Sequence, residues 1–243
     1  MNGCRMSISS AAEEPLLCVR DLDAGYGRSQ VLFGLGFQIG PTETVAVVGR
    51  NGAGKTTFLQ SLMGEIRPSQ GQITLDGRDI SHTDSARRAL SGLGYVPQDT
   101  PVFMRLSVRD NLRAGAVNHR GLDDIDRVLT LFPKLRNRLD QVAGTLSGGE
   151  RKMLGICRAL LGQPKVLMLD EPTEGVWIGV IDEIAEQLAE LSKTMAILLV
   201  EQHLDLVMKI ADRIDVMNRG RIVMSGRATE TAAHPDFLRW LAP

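Results

Sequence analysis

Apolar residues recur close to every second position over residues 16–19 and again over 31–39, which predicts two strands. The turn between them is Gly25-Tyr26-Gly27-Arg28. Residues 44–49 are almost wholly apolar, the pattern of a strand covered on both faces in a parallel sheet. Helical spacing follows over 56–63 and stops at Gly64. Residues 72–75 and the Asp76-Gly77 turn predict a hairpin, and 93–96 a strand closed by Pro97.

From Ser107 to Leu161 the pattern turns helical. Ser107 reads as a helix N-cap with Asp110 three residues on. Ile125, Val128, Leu129 and Phe132 recur at helical spacing ahead of Pro133, and a further helix opens at Gly148-Gly149 and runs to about Leu161. Strand–helix alternation then resumes: strand 166–169, helix 179–191, strand 195–200, helix 204–211. Strands 214–217 and 221–224 close the chain about the turn Asn218-Arg219-Gly220. The pattern predicts an α/β core interrupted by a helical insertion.

Chemistry collects at the ends of these elements. Gly49-Arg50-Asn51-Gly52-Ala53-Gly54-Lys55-Thr56-Thr57 lies between an apolar strand and a helix and matches G-x-x-x-x-G-K-[ST]. Its glycines let backbone N–H groups turn inward around phosphate oxygens, at a helix N-terminus that favours anions. Lys55 is expected at the β- and γ-phosphates and the Thr56 hydroxyl on Mg²⁺. Asp170 ends the strand 166–169, expected beside the cradle strand, where its carboxylate would hold the same Mg²⁺. Glu171 follows; alternation along an extended chain would aim it toward an attacking water.

A second glycine turn, Leu146-Ser147-Gly148-Gly149-Glu150, also opens a helix, so Ser147, Gly148 and Gly149 are candidates for a γ-phosphate contact. One nucleotide needs one cradle. The second is therefore expected to serve a nucleotide held by another copy, making the chain half of an ATP-clamped dimer.

Composition narrows the classes. Hydrophobic residues make up 43% and charged ones 23%, ordinary for a globular protein. With 28 basic against 29 acidic side chains the formal charge is −1, and no basic field marks a nucleic-acid partner. Cys4, Cys18 and Cys157 form no C-x-x-C pair, which fits a reducing compartment and argues against both a disulfide framework and a zinc site. No apolar run is long enough to cross a bilayer, and residues 1–14 read as a loose tail rather than a signal peptide.

The order Tyr26, Gly49 to Thr56, Gln98, Leu146 to Glu150, Asp170-Glu171, His203 resembles the ATP-binding cassette subunits of transporters, over nearly the whole chain from Leu16 to about Gly226. The resemblance implies a P-loop NTPase cassette over 15–243: a mixed-sheet core, a small antiparallel β subdomain and a helical subdomain near 99–160. It implies ATP hydrolysis with ATP and Mg²⁺, and a second cassette subunit, identical or related. It also implies transmembrane permease subunits, an associated substrate-binding protein, and a place on the cytoplasmic face of the cell membrane. Tyr26 would stack on adenine. Gln98 would sense Mg²⁺ and the γ-phosphate, and His203 would contact the γ-phosphate and help position water. Their plain alternatives are a packed loop aromatic, a turn residue and a helix cap.

The segments Asp170-Glu171-Pro172-Thr173-Glu174-Gly175 and Leu199-Val200-Glu201-Gln202 resemble cassettes of high-affinity branched-chain amino-acid importers and their urea and short-amide relatives. Cassettes of lipid or polysaccharide exporters, or a soluble cassette ATPase acting on nucleic acid or ribosomes, are the rival classes. Two departures stand out. Val176-Trp177-Ile178-Gly179 replaces the usual small-residue turn, which places Trp177 at the expected dimer seam. Arg151-Lys152 replace the glutamines common after the second cradle and read as surface variation.

Overall fold

The computed structural model describes residues 14–117 and 123–241. The tail expected over 1–14, apart from Glu14, lies outside the described residues, as does Cys4. The strands are β1 (Leu17–Tyr26), β2 (Ser29–Ile39), β3 (Thr44–Val48), β4 (Gln70–Leu75), β5 (Arg78–Asp79), β6 (Leu93–Val96), β7 (Val166–Asp170), β8 (Ala196–Val200), β9 (Arg213–Asn218) and β10 (Arg221–Arg227). The α-helices are α1 (Lys55–Met63), α2 (Ser85–Ser91), α3 (Val108–Gly115), α4 (Asp123–Leu131), α5 (Gly148–Leu160), α6 (Ile178–Leu191), α7 (Leu204–Ile210), α8 (Ala228–Ala232) and α9 (Phe237–Leu241).

The strands form two sheets. One is antiparallel in the order β2-β1-β4-β5; the other runs β10-β9-β3-β8-β7-β6, parallel except for the β10 edge. The unbroken apolar runs have a direct cause, since every residue of β3, β7 and β8 is buried. Alternation divides their side chains between two cores. Val45 and Val47 of β3, Val166 and Met168 of β7, and Leu198 of β8 face the core that holds α1 and the antiparallel sheet. Ala46 and Val48, Leu167 and Leu169, and Leu199 face the core shared with α3, α5, α6 and α7. A one-residue slip in any of these strands would exchange its two sets.

Local signals placed the helix ends correctly where they were present. Gly64 takes a left-handed conformation, φ 79°, and its N–H reaches Gln60 O and Ser61 O to close α1. Ser107 caps α3 by accepting from the Asp110 N–H. The helices α3, α4 and α5 all lie between β6 and β7. The short helices α2, α8 and α9 were not expected: each runs five to seven residues, too short for a periodic stripe to register.

One strand expectation is corrected. The strand ending in Asp170 does not neighbour the cradle strand, because β8 lies between them: Val47 pairs with Val200, and Val200 with Asp170. The three strand ends still converge on one rim, and β8 therefore contributes its own end to the site.

Candidate functional site

The C-terminal ends of β3, β8 and β7 surround a cleft of about 450 Å³, the usual ligand position in an open α/β sheet. The residues from Asn51 to Thr57 line it, except buried Ala53, together with Gln98 and Glu171. Gly54 stands ahead of the first turn of α1 at φ 109°, a left-handed conformation closed to most side chains. It aims the first N–H groups of α1 into the cleft, and these have no partner within the helix. Lys55 is almost fully buried. Its ammonium donates to Gly49 O at 2.9 Å and Arg50 O at 3.3 Å and stands 3.6 Å from Glu171 Oε1.

Glu171 departs from the extended chain on which its aim had been argued. It sits at φ 44°, while its N–H donates to Val200 O at 2.9 Å. A left-handed glutamate costs on the order of 1 kcal/mol and persists only where its surroundings impose it. Here they do: Oε1 accepts from Gln202 Nε2 at 2.7 Å, and Oε2 from Gln98 Nε2 at 3.3 Å. Gln98 Nε2 also donates to Glu174 Oε2 at 2.6 Å.

Asp170 is fully buried. Its Oδ2 accepts from the Tyr95 hydroxyl at 3.3 Å, and its Oδ1 has no hydrogen-bond partner. Burial pushes the carboxyl up to about 6, the Glu171 charge adds to this, and the Thr56 and Tyr95 hydroxyls with Lys55 oppose it. Burial and the Asp170 charge raise the Tyr95 phenol, which stays protonated and able to donate. An orphaned carboxylate oxygen beside a threonine hydroxyl is a hard-oxygen donor set and fits Mg²⁺, which keeps substrate oxygens and waters in its shell.

His203 is not among the residues that line the cleft. Buried Glu201 organises the turn after β8: its Oε2 accepts from the N–H groups of Gln202, at 2.7 Å, and His203, at 3.0 Å. Its Oε1 accepts from Thr173 N at 3.1 Å and from the Thr173 hydroxyl. Wrapped on that carboxylate, the chain turns Gln202 inward, where Nε2 also reaches Asn51 Oδ1 at 2.7 Å. His203 is the exposed residue preceding α7, and its side chain makes no capping hydrogen bond. Gln202, Glu174 and Val31 line the cleft without having been expected there. For Gln202 the usable signal was its distance from the strand end, two residues beyond Val200.

Tyr26 is 53% exposed at the end of β1, with its hydroxyl donating to Gln60 Oε1 at 2.8 Å. The second cradle forms as a helix start but stands outside this cleft. Ser147 Oγ accepts from Glu150 N at 3.3 Å, and Glu150 Oε2 accepts from Ser147 N at 2.9 Å, a complete capping box. Gly149 is required by a close approach, since a Cβ there would lie 2.6 Å from Val180 Cγ1. Trp177 is 76% exposed at the start of α6.

The reading of Arg151-Lys152 as surface variation does not survive for Lys152. It is only 7% exposed, and its ammonium donates to Gln98 O at 2.6 Å and Glu171 O at 3.2 Å. Arg151 is half-buried and donates to Leu146 O at 2.7 Å. Lys152 opens a run from Lys152 to Cys157 in which every residue is buried, and residue type alone does not reveal that a lysine belongs to it.

Comparison with known proteins agrees with this geometry. The model of the ABC transporter family matches residues 32–174. The high-affinity branched-chain amino acid transport ATP-binding protein BraG of Pseudomonas aeruginosa is 38% identical over 215 residues, covering 86% of this chain and 92% of that protein. The probable branched-chain amino acid transport ATP-binding protein LivF of Archaeoglobus fulgidus is 37% identical, covering 89% and 94%. The lipopolysaccharide export system ATP-binding protein LptB of Haemophilus influenzae is 31% identical, covering 87% and 90%. A crystal structure of a nucleotide-free ATP-binding cassette from an ABC transporter superposes with a TM-score of 0.83 at 25% identity, covering 92% of this chain and 97% of that one.

Proposed function

This chain belongs to the ABC transporter family as an ATP-hydrolysing cassette, and from that footing we propose that it drives an importer of branched-chain amino acids. The observation that carries the ATPase part is the single cleft in which Lys55, Glu171, Gln98 and the N-terminus of α1 converge. The cargo part rests on likeness to BraG and LivF, whose similarity exceeds that of LptB. A urea or short-amide importer, then a lipopolysaccharide-type exporter, are the other cargo readings. Transporter cassettes work with transmembrane permease subunits, and among the described residues no helix is long and apolar enough to cross a membrane. On this reading the chain docks on permeases at the cytoplasmic face, with a second cassette, identical or related, and indirectly a substrate-binding protein.

The chain's own residues define the work. Lys55 holds the β- and γ-phosphates of ATP, and the helix N-terminus neutralises their charge. Tyr26 covers the adenine. Thr56 and Asp170, joined by Gln98 across the cleft, hold Mg²⁺, which when bound supplies charge stabilisation at the phosphoryl oxygens. Glu171, held by Gln202 and Gln98, orients the attacking water and takes up its proton. Ser147, Gly148 and Gly149 present the second cradle to the nucleotide of the partner cassette. Phosphoryl transfer of this kind needs positioning and electrostatics more than covalent chemistry.

The decisive experiment is Glu171→Gln. We expect turnover to fall by at least about a hundredfold, with ATP affinity retained and an ATP-bound dimer accumulating on size-exclusion chromatography. Substantial residual turnover would assign the water elsewhere. Capture of polytopic permeases by the tagged chain from solubilised native membranes tests the transport part.

A further inference from the structure

Lys152 lies outside the motifs of the ATPase site, yet it is the side chain that joins them. It sits in α5 five residues beyond Ser147, so the helix that begins with the second cradle also carries this ammonium. Its head makes hydrogen bonds to main-chain oxygens of two separate segments: Gln98 just after β6, and Glu171 just after β7. Burial lowers its pKa, while the charges of Glu174, Asp99, Asp170 and Glu201 raise it. An ammonium surrounded by acids that nevertheless bonds carbonyls fixes where the main chain runs. What it fixes is critical, because Glu171 holds a left-handed conformation and its N–H is already bound to Val200 O. Lys152 grips the other end of the same residue.

We propose that Lys152 is a positioning residue: from the first turns of α5 it holds the main chain of Gln98 and Glu171, so that engagement of the second cradle sets the water-orienting carboxylate of its own chain. The inference rests on the reading of the chain as an ATP-hydrolysing cassette that pairs with a second one. Two sites in one chain would then be linked by a single side chain, through one rigid helix.

The test uses the purified full-length chain and steady-state ATP hydrolysis. Wild type must turn over and Glu171→Gln must not; failure at that step sinks the proposed function, and with it the basis for this inference. Lys152→Met keeps the length and removes the donors, and Lys152→Arg restores them. We expect Lys152→Met to lower kcat about tenfold with KM for ATP within about threefold, and Lys152→Arg to recover most of the loss. We also expect Ser147→Ala to lower kcat about tenfold alone but only about threefold in the Lys152→Met background, the remainder being its direct contact with the partner's nucleotide. A kcat for Lys152→Met within about twofold of wild type, or a Ser147→Ala loss equally large in both backgrounds, overturns the proposal. Should Lys152→Met not fold, judged by thermal unfolding, Lys152→Gln is held to the same criteria; if neither folds, Lys152 serves stability alone and the proposal fails.

Discussion

The side-chain amide of Gln202 donates to Oε1 of Glu171 at 2.7 Å, and the same nitrogen reaches Asn51 Oδ1 at 2.7 Å. One amide therefore ties the phosphate cradle to the carboxylate proposed to orient the attacking water. Without it, Glu171 retains Gln98 and Lys55 but loses its shortest restraint. We expect Gln202→Ala to lower kcat about tenfold with ATP affinity near that of wild type, and His203→Ala to leave kcat within about twofold. Steady-state kinetics of the two variants decides the matter. The reverse ranking would return the phosphate-contacting role to His203.

Asp170 gives the site a pH dependence. Burial raises its folded-state pKa from the ordinary carboxylate value near 3.8 to about 6, so the folded protein holds this proton more tightly than the unfolded chain. Stability from this group is therefore fully present below about pH 4 and is lost as pH rises to 6, by about 3 kcal/mol for the whole shift. Relative to wild type, Asp170→Asn should gain thermal stability as pH rises from 4 to 7. Function runs the other way. If Asp170 holds Mg²⁺ as proposed, it does so as the carboxylate, and Mg²⁺-dependent tightening of ATP binding should fade below pH 6 in wild type, while Mg²⁺-free binding should not. Fluorescent-nucleotide titration across pH, with and without Mg²⁺, measures both.

Arg88 is 1% exposed and bonds four main-chain carbonyls: Ser61 O and Leu62 O at 2.7 Å, Ser81 O at 2.8 Å and Thr83 O at 3.0 Å. The first two belong to the last turn of α1, where Gly64 N–H also donates to Ser61 O, and the other end of α1 forms the cradle. We expect Arg88→Met to cost about 3 kcal/mol, seen as a lower urea midpoint with an unchanged slope. ATP affinity of the remaining folded protein should stay near that of wild type. A midpoint unchanged from wild type would mean that water satisfies those carbonyls equally well.

Trp177 stands in solvent on the loop after Glu171, whereas Trp240 is partly buried against the core. In a Trp240→Phe, Glu171→Gln chain the emission reports Trp177 alone. We expect ATP to shift it to shorter wavelength and to reduce iodide quenching as the dimer forms. Unchanged emission alongside a doubled mass by light scattering would remove Trp177 from the seam.

Much of this protein was legible from local pattern. The cradle from Gly49 to Thr57, the capping Ser107, the helix start at Gly148, the stop at Gly64 and the apolar strands all appear where periodicity and turn chemistry predict them. Each depends on residues a few positions apart, so a short window contains the whole cause. Glu171 was found as a residue, but its left-handed backbone was not, because that conformation is imposed by Val200 and Gln202 at the end of β8 and by Lys152 on α5.

The amino-acid sequence by itself determined the phosphate cradle, the acids after β7, the second helix start and the division into an α/β core with inserted helices. Tertiary structure alone decided that β8 separates β3 from β7, that Gln202 rather than His203 enters the cleft, and that Lys152 turns inward to grip Gln98 and Glu171. The physical reason is range. Helix periodicity and capping are settled between neighbours along the chain, whereas strand order and the aim of a side chain just past a strand end are settled by pairing across the sheet. Here that pairing is Val200 against both Val47 and Asp170, with a buried Glu201 turning the chain that follows.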